Sequence, residues 1–288
     1  MILIILAAVE TTKIVESQSV SLPGCPDRCG DVKIPYPFGT SQGCYLSEKF
    51  SINCSQSNSQ LLSPTPFLSN GNLQITNISL EGELGIMHYG ARDCYDEEGM
   101  QVINNRPRTR LSNFHISSAK NKFTAVGCDT YAIISGYRGE TEYITGCISS
   151  CDRIDSYTTE SSCSGVSCCQ TSIPSGLKNI TVGLSSFYNH TFVHKLNPCS
   201  YAFVVVESKF NFSRTSFRDF NDTEMVPIVL NWAIGEGSSC DETESREDFA
   251  CKGNISKCVE ASNGPGYLCQ CLPGYEGNPY LSDGCQGD

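Results

Sequence analysis

Residues 240–285 read CDETESREDFACKGNISKCVEASNGPGYLCQCLPGYEGNPYLSDGC, six cysteines spaced C-x10-C-x6-C-x10-C-x1-C-x13-C. Six cysteines allow fifteen pairings, and spacing alone selects none of them. A segment this short cannot bury enough apolar surface to fold unaided, so cross-links must supply the missing stability. Zinc is the competing use of clustered cysteine. No C-x2-C occurs anywhere in the chain and no histidine lies near this set, which argues against it.

Outward from this stretch, cysteine remains the organising residue. The chain has 18 cysteines in 288 residues, far more than a reducing compartment tolerates, and the even number reads as a disulfide framework outside the cytosol. Twelve of the cysteines are spread from Cys25 to Cys199. The length suggests about two domains with room for a small third module. Hydrophobic residues make up 39%, enough for packed cores. Acidic residues outnumber basic ones, 31 to 20, for a net charge of −11, so a nucleic-acid binder is excluded. Ile2 to Val9 is an apolar run suited to a signal-peptide core but too short to span a bilayer. No basic residue precedes it, so the expected signal, residues 1–19 with cleavage near Ser17–Ser19, is shortened at its front or its start is misplaced. No second apolar stretch approaches 18 residues, so no membrane anchor is expected within these residues.

Before residue 235 the pattern is that of strands. Val226, Ile228, Leu230, Trp232 and Ile234 alternate along one face, with Pro227 pointing to an edge strand. Ile180, Val182 and Leu184 alternate likewise, and Tyr201 to Val206 reads as a strand buried on both faces. Leu73 and Ile75 precede a turn-rich stretch, and Pro35, Pro37, Pro64 and Pro66 interrupt any helix near the N-terminus. The expectation is a mainly β, disulfide-rich chain: a cysteine-rich β body in two parts, residues 25–132 and 133–235, then a small module at 240–286. Gly235–Ser239 reads as the linker, and the acidic run Asp241-Glu242-Thr243-Glu244 as a solvated loop.

The C-terminal spacing, with Gly266-Tyr267 before its fourth cysteine and Gly274-Tyr275-Glu276-Gly277 after its fifth, resembles an EGF-like module. The resemblance implies a 1–3, 2–4, 5–6 pairing: Cys240–Cys258, Cys251–Cys269 and Cys271–Cys285. Gly237-Ser238-Ser239 stands where the calcium-binding subtype carries acidic ligands, so calcium is not expected there. At the other end, Cys25-Pro-Asp-Arg-Cys29-Gly-Asp-Val-Lys-Ile-Pro-Tyr-Pro-Phe-Gly39, Gly43-Cys44-Tyr45 and Phe50-Ser-Ile-Asn-Cys54 resemble the extracellular region of plant wall-associated receptor kinases. Asn121 to Asp129, Gly146-Cys147 to Cys151, Gly165 to Pro174 and Gly274 to Tyr280 continue the likeness. It covers about residues 25–286. The resemblance implies a galacturonan-binding domain followed by an EGF-like module on the cell-wall side of the plasma membrane. No kinase glycine loop, catalytic Asp loop or Asp-Phe-Gly occurs in these residues, so no kinase activity is expected of them.

Galacturonan is a polyanion, so an acidic protein must gather its cations locally. Arg106, Arg108 and Arg110 form the densest cluster, followed by Lys120 and Lys122, with Arg92 as a weaker addition. If extended, residues 106–110 place three Arg side chains on one face at about 6.6 Å spacings, suited to successive uronate carboxylates. The bland alternative is a solvated basic loop. Tyr36, Phe38 and Tyr45 are possible stacking residues, though core packing suits them better.

Other chemistry is weaker. Gly39-Thr40-Ser41-Gln42-Gly43 matches G-x-S-x-G, but prolines precede it and Cys44 follows, so a turn beside a disulfide is expected. His190 and His194 sit in what reads as a strand, where i and i+4 lie roughly 13 Å apart, too far for one metal ion. Neither a metal nor a cofactor is expected. Asn53, Asn77, Asn179, Asn189, Asn211, Asn221 and Asn254 head N-glycosylation sequons. The lead expectation is non-enzymatic recognition of acidic wall polysaccharide, with the module as spacer or protein contact. The alternative is a receptor ectodomain for a protein or peptide.

Overall fold

The computed structural model describes residues 20–55, 63–68, 71–111, 114–151, 163–213, 215–222, 225–235, 237–262 and 264–287. The expected signal and its cleavage site lie outside these. The architecture is mainly β and cross-linked throughout: among the described residues every cysteine is paired. Cys25–Cys44 and Cys29–Cys54 staple the N-terminal segment, and Cys94–Cys199, Cys128–Cys151, Cys147–Cys169 and Cys163–Cys168 the body. The neighbours Cys168 and Cys169 bond to different partners because successive strand residues point to opposite faces. The C-terminal bonds join Cys240 to Cys258, Cys251 to Cys269 and Cys271 to Cys285.

A ten-stranded sheet dominates the body. Its two edge strands are Gln101–Asn105 and Arg108–Thr109, separated in the chain only by Arg106 and Pro107. The sheet therefore curls until its edges nearly meet, and Lys178–Ser185 packs against Cys199–Val206 across the interior. Ala132, Ile134, Ile180, Val182, Leu184, Ala202 and Val204 fill that interior. The strand Cys199–Val206 is buried on both faces: the side opposite this core packs Tyr201 and Phe203 against Phe210 and Phe220. The strand Asp129–Arg138 runs through the 132/133 position, so the sheet takes strands from both sides of it.

A four-stranded sheet has the order His115–Ile116, Met225–Asn231, Glu83–Tyr89, Ile75–Ser79. The alternating residues Val226, Ile228, Leu230, Trp232 and Ile234 are all buried. His115–Ile116 covers only the Leu230–Asn231 end of Met225–Asn231, so the strand is interior there and an open edge at Pro227, whose missing N–H falls outside the ladder. The Asn121 side chain continues the pairing instead: its Oδ1 accepts from Val229 N at 2.9 Å and its Nδ2 donates to Val229 O at 2.7 Å.

The C-terminal module is not held off on a spacer. Ile234 bridges to Tyr267, and Gly235 adopts φ +90 where a Cβ would strike the Tyr267 ring at 2.8 Å. Asn278 Nδ2 donates to Val20 O and Tyr36 O, both at 2.8 Å. The Trp232 ring meets Phe38, Phe50 and Tyr280 at centroid distances of 5.2, 5.8 and 5.9 Å. The acidic run after the linker is a short helix, Cys240–Thr243, with Ser239 and Glu242 in a capping box.

Candidate functional site

The arginine row lies along the sheet edge. Arg106, Arg108 and Arg110 are exposed while Thr109 is buried; only Arg108–Thr109 pairs as a strand, and Arg106, in the connection before it, donates from Nε to Asn104 Oδ1 at 3.1 Å. Register extends this face inward. Arg108 pairs with Thr181, Thr181 with Ser135, and Ser135 with Ile144, so the four residues share one side of four adjacent strands. On that same outer side Tyr131 and Tyr137 of Asp129–Arg138 are 43% and 42% exposed, and Ile144 and Ile148 of Thr141–Ser150 are 65% and 53% exposed. Glycines 146 and 183 keep the middle low; a Cβ on Gly183 would press on the Ile133 side chain at 3.2 Å. The result is an open face with guanidinium groups along one border and aromatic and aliphatic surface beside them. Reading residues 129–150 for a period of two would have found it, because the exposed residues alternate about the turn at Arg138–Thr141.

The other expected cations do not join this row. Lys120 Nζ lies 3.2 Å from Glu83 Oε1, and Lys122 Nζ lies 4.0 Å from Glu207 Oε2 and 3.1 Å from Ser172 Oγ. Both sit at the Asn121–Val126 strand, several strands from the row. Arg92 pairs with Asn105 next to the row, but its guanidinium turns over the Tyr201 ring at 5.7 Å. Of the aromatic residues weighed for stacking, Phe38 is fully buried, while Tyr36 and Tyr45 are half-buried and Tyr45 Oη donates to Glu48.

Beneath the row sits a buried histidine. His88 is 1% exposed; its Nε2 is 2.6 Å from Thr109 Oγ1 and its Nδ1 has no partner. Burial lowers its pKa from 6.5 to about 4. His115 is likewise lowered to about 4, by burial and by the charge of Lys178. Both imidazoles are thus neutral in the fold, whereas the unfolded chain takes up their protons near 6.5. Stability is full above that pH and falls as pH drops from 6.5 toward 4. His88 alone contributes a loss of about 2–3 kcal/mol. We expect urea midpoints to fall accordingly between pH 7 and pH 4.5. His88→Gln should lower stability at pH 7 and flatten that dependence; a variant as steep as wild type would contradict this.

A second cationic feature is a groove of about 280 Å³ between the body and the C-terminal module, lined by Lys49, Glu81, His115, Lys178, Trp232 and Leu268. It continues past His115 and Lys178 into a larger space of about 550 Å³ that Tyr137 and Arg138 line. The hydrolase-like Gly39–Gly43 segment forms a turn, with Ser41 Oγ bonded to the Cys44 sulfur at 3.3 Å and no α-helix following. His190 and His194 lie in a turn-rich loop rather than a strand. The buried Asp129 carboxylate organises it, accepting from Ser186 Oγ and from the amides of Phe187, Tyr188 and His190. Burial alone would raise the Asp129 pKa, but those four bonds outweigh it and hold the carboxyl below its usual range. His190 Nδ1 is 2.6 Å from Asn197 O and His194 Nε2 is 3.1 Å from Tyr95 O, so each ring is used in packing the loop. Among the described residues no three His, Cys, Asp or Glu side chains converge to hold a metal ion. Asn53, Asn77, Asn179, Asn189, Asn211 and Asn254 are exposed; the side chain of Asn221 lies outside what is described.

Two family models match the chain: "Wall-associated receptor kinase galacturonan-binding" over residues 25–88 and "Wall-associated kinase" over residues 160–239. Wall-associated receptor kinase 2 of Arabidopsis thaliana is 42% identical over 267 residues, covering 91% of this chain and 34% of that protein. Wall-associated receptor kinase 5 of the same plant is 40% identical over 270 residues, covering 91% and 34%. The more distant wall-associated receptor kinase-like 6 is 28% identical over 289 residues. The chain spans about a third of the length of the first two relatives. No solved structure matches it. No helix among the described residues is long and apolar enough to cross a membrane. The matched galacturonan-binding stretch ends at His88, whose ring lies against Thr109 inside the arginine row.

Proposed function

The chain belongs to the wall-associated receptor kinase family, and on that premise we propose that it binds de-esterified galacturonan without catalysing its cleavage, as a wall-facing receptor ectodomain. The observation that carries the reading is the row Arg106, Arg108, Arg110, three exposed guanidinium groups bordering an exposed sheet face in a chain of net charge −11. Each guanidinium offers charge-assisted, bidentate hydrogen bonds to a carboxylate, and Tyr131 and Tyr137 offer ring faces for sugars between them. The binding unit then extends beyond the matched residues 25–88 to the 106–110 segment, within the 25–132 part of the body.

The groove at the module junction is the second location, favoured because the matched segment itself contributes Lys49 to it. Titration calorimetry with de-esterified and fully methyl-esterified oligogalacturonides distinguishes these readings. The de-esterified form should bind at low salt and weaken as salt screens the contacts, and the esterified form should not bind. Equal binding of both, or none at low salt, overturns the proposal. Loss of binding in a Lys49→Gln/Lys178→Gln pair with an intact arginine row would move the site to the groove.

A further inference from the structure

The loop from Ser186 to Asn197 is held firmly yet leaves large apolar rings in water. Asp129 anchors its start through four hydrogen bonds, and the Tyr95 ring stacks on His190 at 4.9 Å beneath it. Phe187, Tyr188 and Phe192 are nevertheless 52%, 65% and 81% exposed. With Tyr131 they form a chain of rings, at centroid distances of 6.1 Å for Tyr131–Phe187, 6.4 Å for Phe187–Tyr188 and 5.9 Å for Tyr188–Phe192. In their midst Asn189 is exposed at a turn with φ 52 and begins the sequon Asn189-His190-Thr191.

We propose that Asn189 carries an N-linked glycan whose first sugar lies across Phe187 and Tyr188. The attachment transfers an oligosaccharide from a polyprenyl diphosphate donor. A bond forms between Asn189 Nδ2 and the sugar's C1, the C1–oxygen bond to the diphosphate breaks, and one amide proton leaves with no oxidation or reduction. Only Tyr188 separates Phe187 from Asn189, at most about 7 Å between Cα atoms, so the first sugar reaches the ring. A pyranose face brings C–H groups to the aromatic surface and removes part of it from water. The other described sequons lack this setting. Asn211 lies between Phe210 and Phe212, which are half-buried against neighbouring rings, and Asn254 has no aromatic neighbour within three residues.

The test uses the chain secreted from a eukaryotic host. Peptide mass mapping should find Asn189 occupied. Trimming to a single sugar should leave Tm unchanged, while Asn189→Gln should lower it by about 2–4 °C. In a Phe187→Ala background the same loss of glycan should shift Tm by less than about 1 °C. Should Asn189→Gln not be secreted, enzymatic removal of the whole glycan from the folded protein provides the same comparison. An unmodified Asn189, or equal Tm shifts with and without Phe187, overturns the proposal and leaves the rings as a docking surface for another protein.

Discussion

Trp232→Ala is expected to lower stability by about 3–5 kcal/mol, the range for truncating a buried aromatic residue to alanine. Its effect should also reach three parts of the molecule at once. The indole is 3% exposed and wedged among Phe38 and Phe50 of the N-terminal segment and Tyr280 of the C-terminal module. Its Nε1 donates to Ser79 O at 3.1 Å and to Glu83 O at 3.3 Å, so it also ties down the four-stranded sheet. Removing it leaves a cavity where these parts meet and two carbonyls short of a donor. Chemical denaturation measures the loss. Hydrogen exchange should show residues 240–287 opening more often than in wild type. Trp232→Phe keeps most of the packing and should cost roughly half as much. A stable Trp232→Ala protein with unchanged exchange in the module would show that the junction is held elsewhere, by Ile234–Tyr267 and by Asn278.

Neutralising Arg106, Arg108 and Arg110 together to glutamine is expected to weaken de-esterified oligogalacturonide binding about 100-fold. Each exposed charge-assisted contact contributes on the order of 1 kcal/mol, and three of them give about two decades in affinity. The logarithmic dependence of affinity on salt should flatten in the same variant, because three screened contacts have gone. Thr109 is left in place, since its hydroxyl meets His88 and its removal would disturb the strand itself. The three side chains are exposed, so stability should change by less than about 0.5 kcal/mol, which separates lost binding from lost folding. Unchanged affinity, with the Lys49/Lys178 pair also unchanged, would remove both locations.

Local pattern made much of this architecture legible. The alternation from Val226 to Ile234 was readable because every second residue faces the core, and Tyr201 to Val206 because that strand is covered on both sides. Arg106, Arg108 and Arg110 are all exposed, but the period of two holds as a strand only over Arg108–Thr109. Long-range partners were not legible. Nothing in the sequence says that Lys120 meets Glu83 or Lys122 meets Glu207, so two cations expected in the patch are spent elsewhere. The loop at His190 was misread as a strand because its organiser, Asp129, lies far away in the chain. The close seating of the module on the body was not legible either, because only the folded register shows Gly235 lying under Tyr267.

The curl of the large sheet has a consequence for how copies of this protein meet. An ordinary open sheet ends in two rows of unpaired backbone groups, each a template on which a neighbouring molecule can add a strand. Here both rows converge on one seam at Arg106–Pro107, where a proline offers no N–H and three like charges stand side by side. Two molecules approaching seam to seam repel each other. The residues proposed to attract a polyanion therefore also serve as gatekeepers against self-aggregation, and neutralising them should make the protein more prone to precipitate at high concentration.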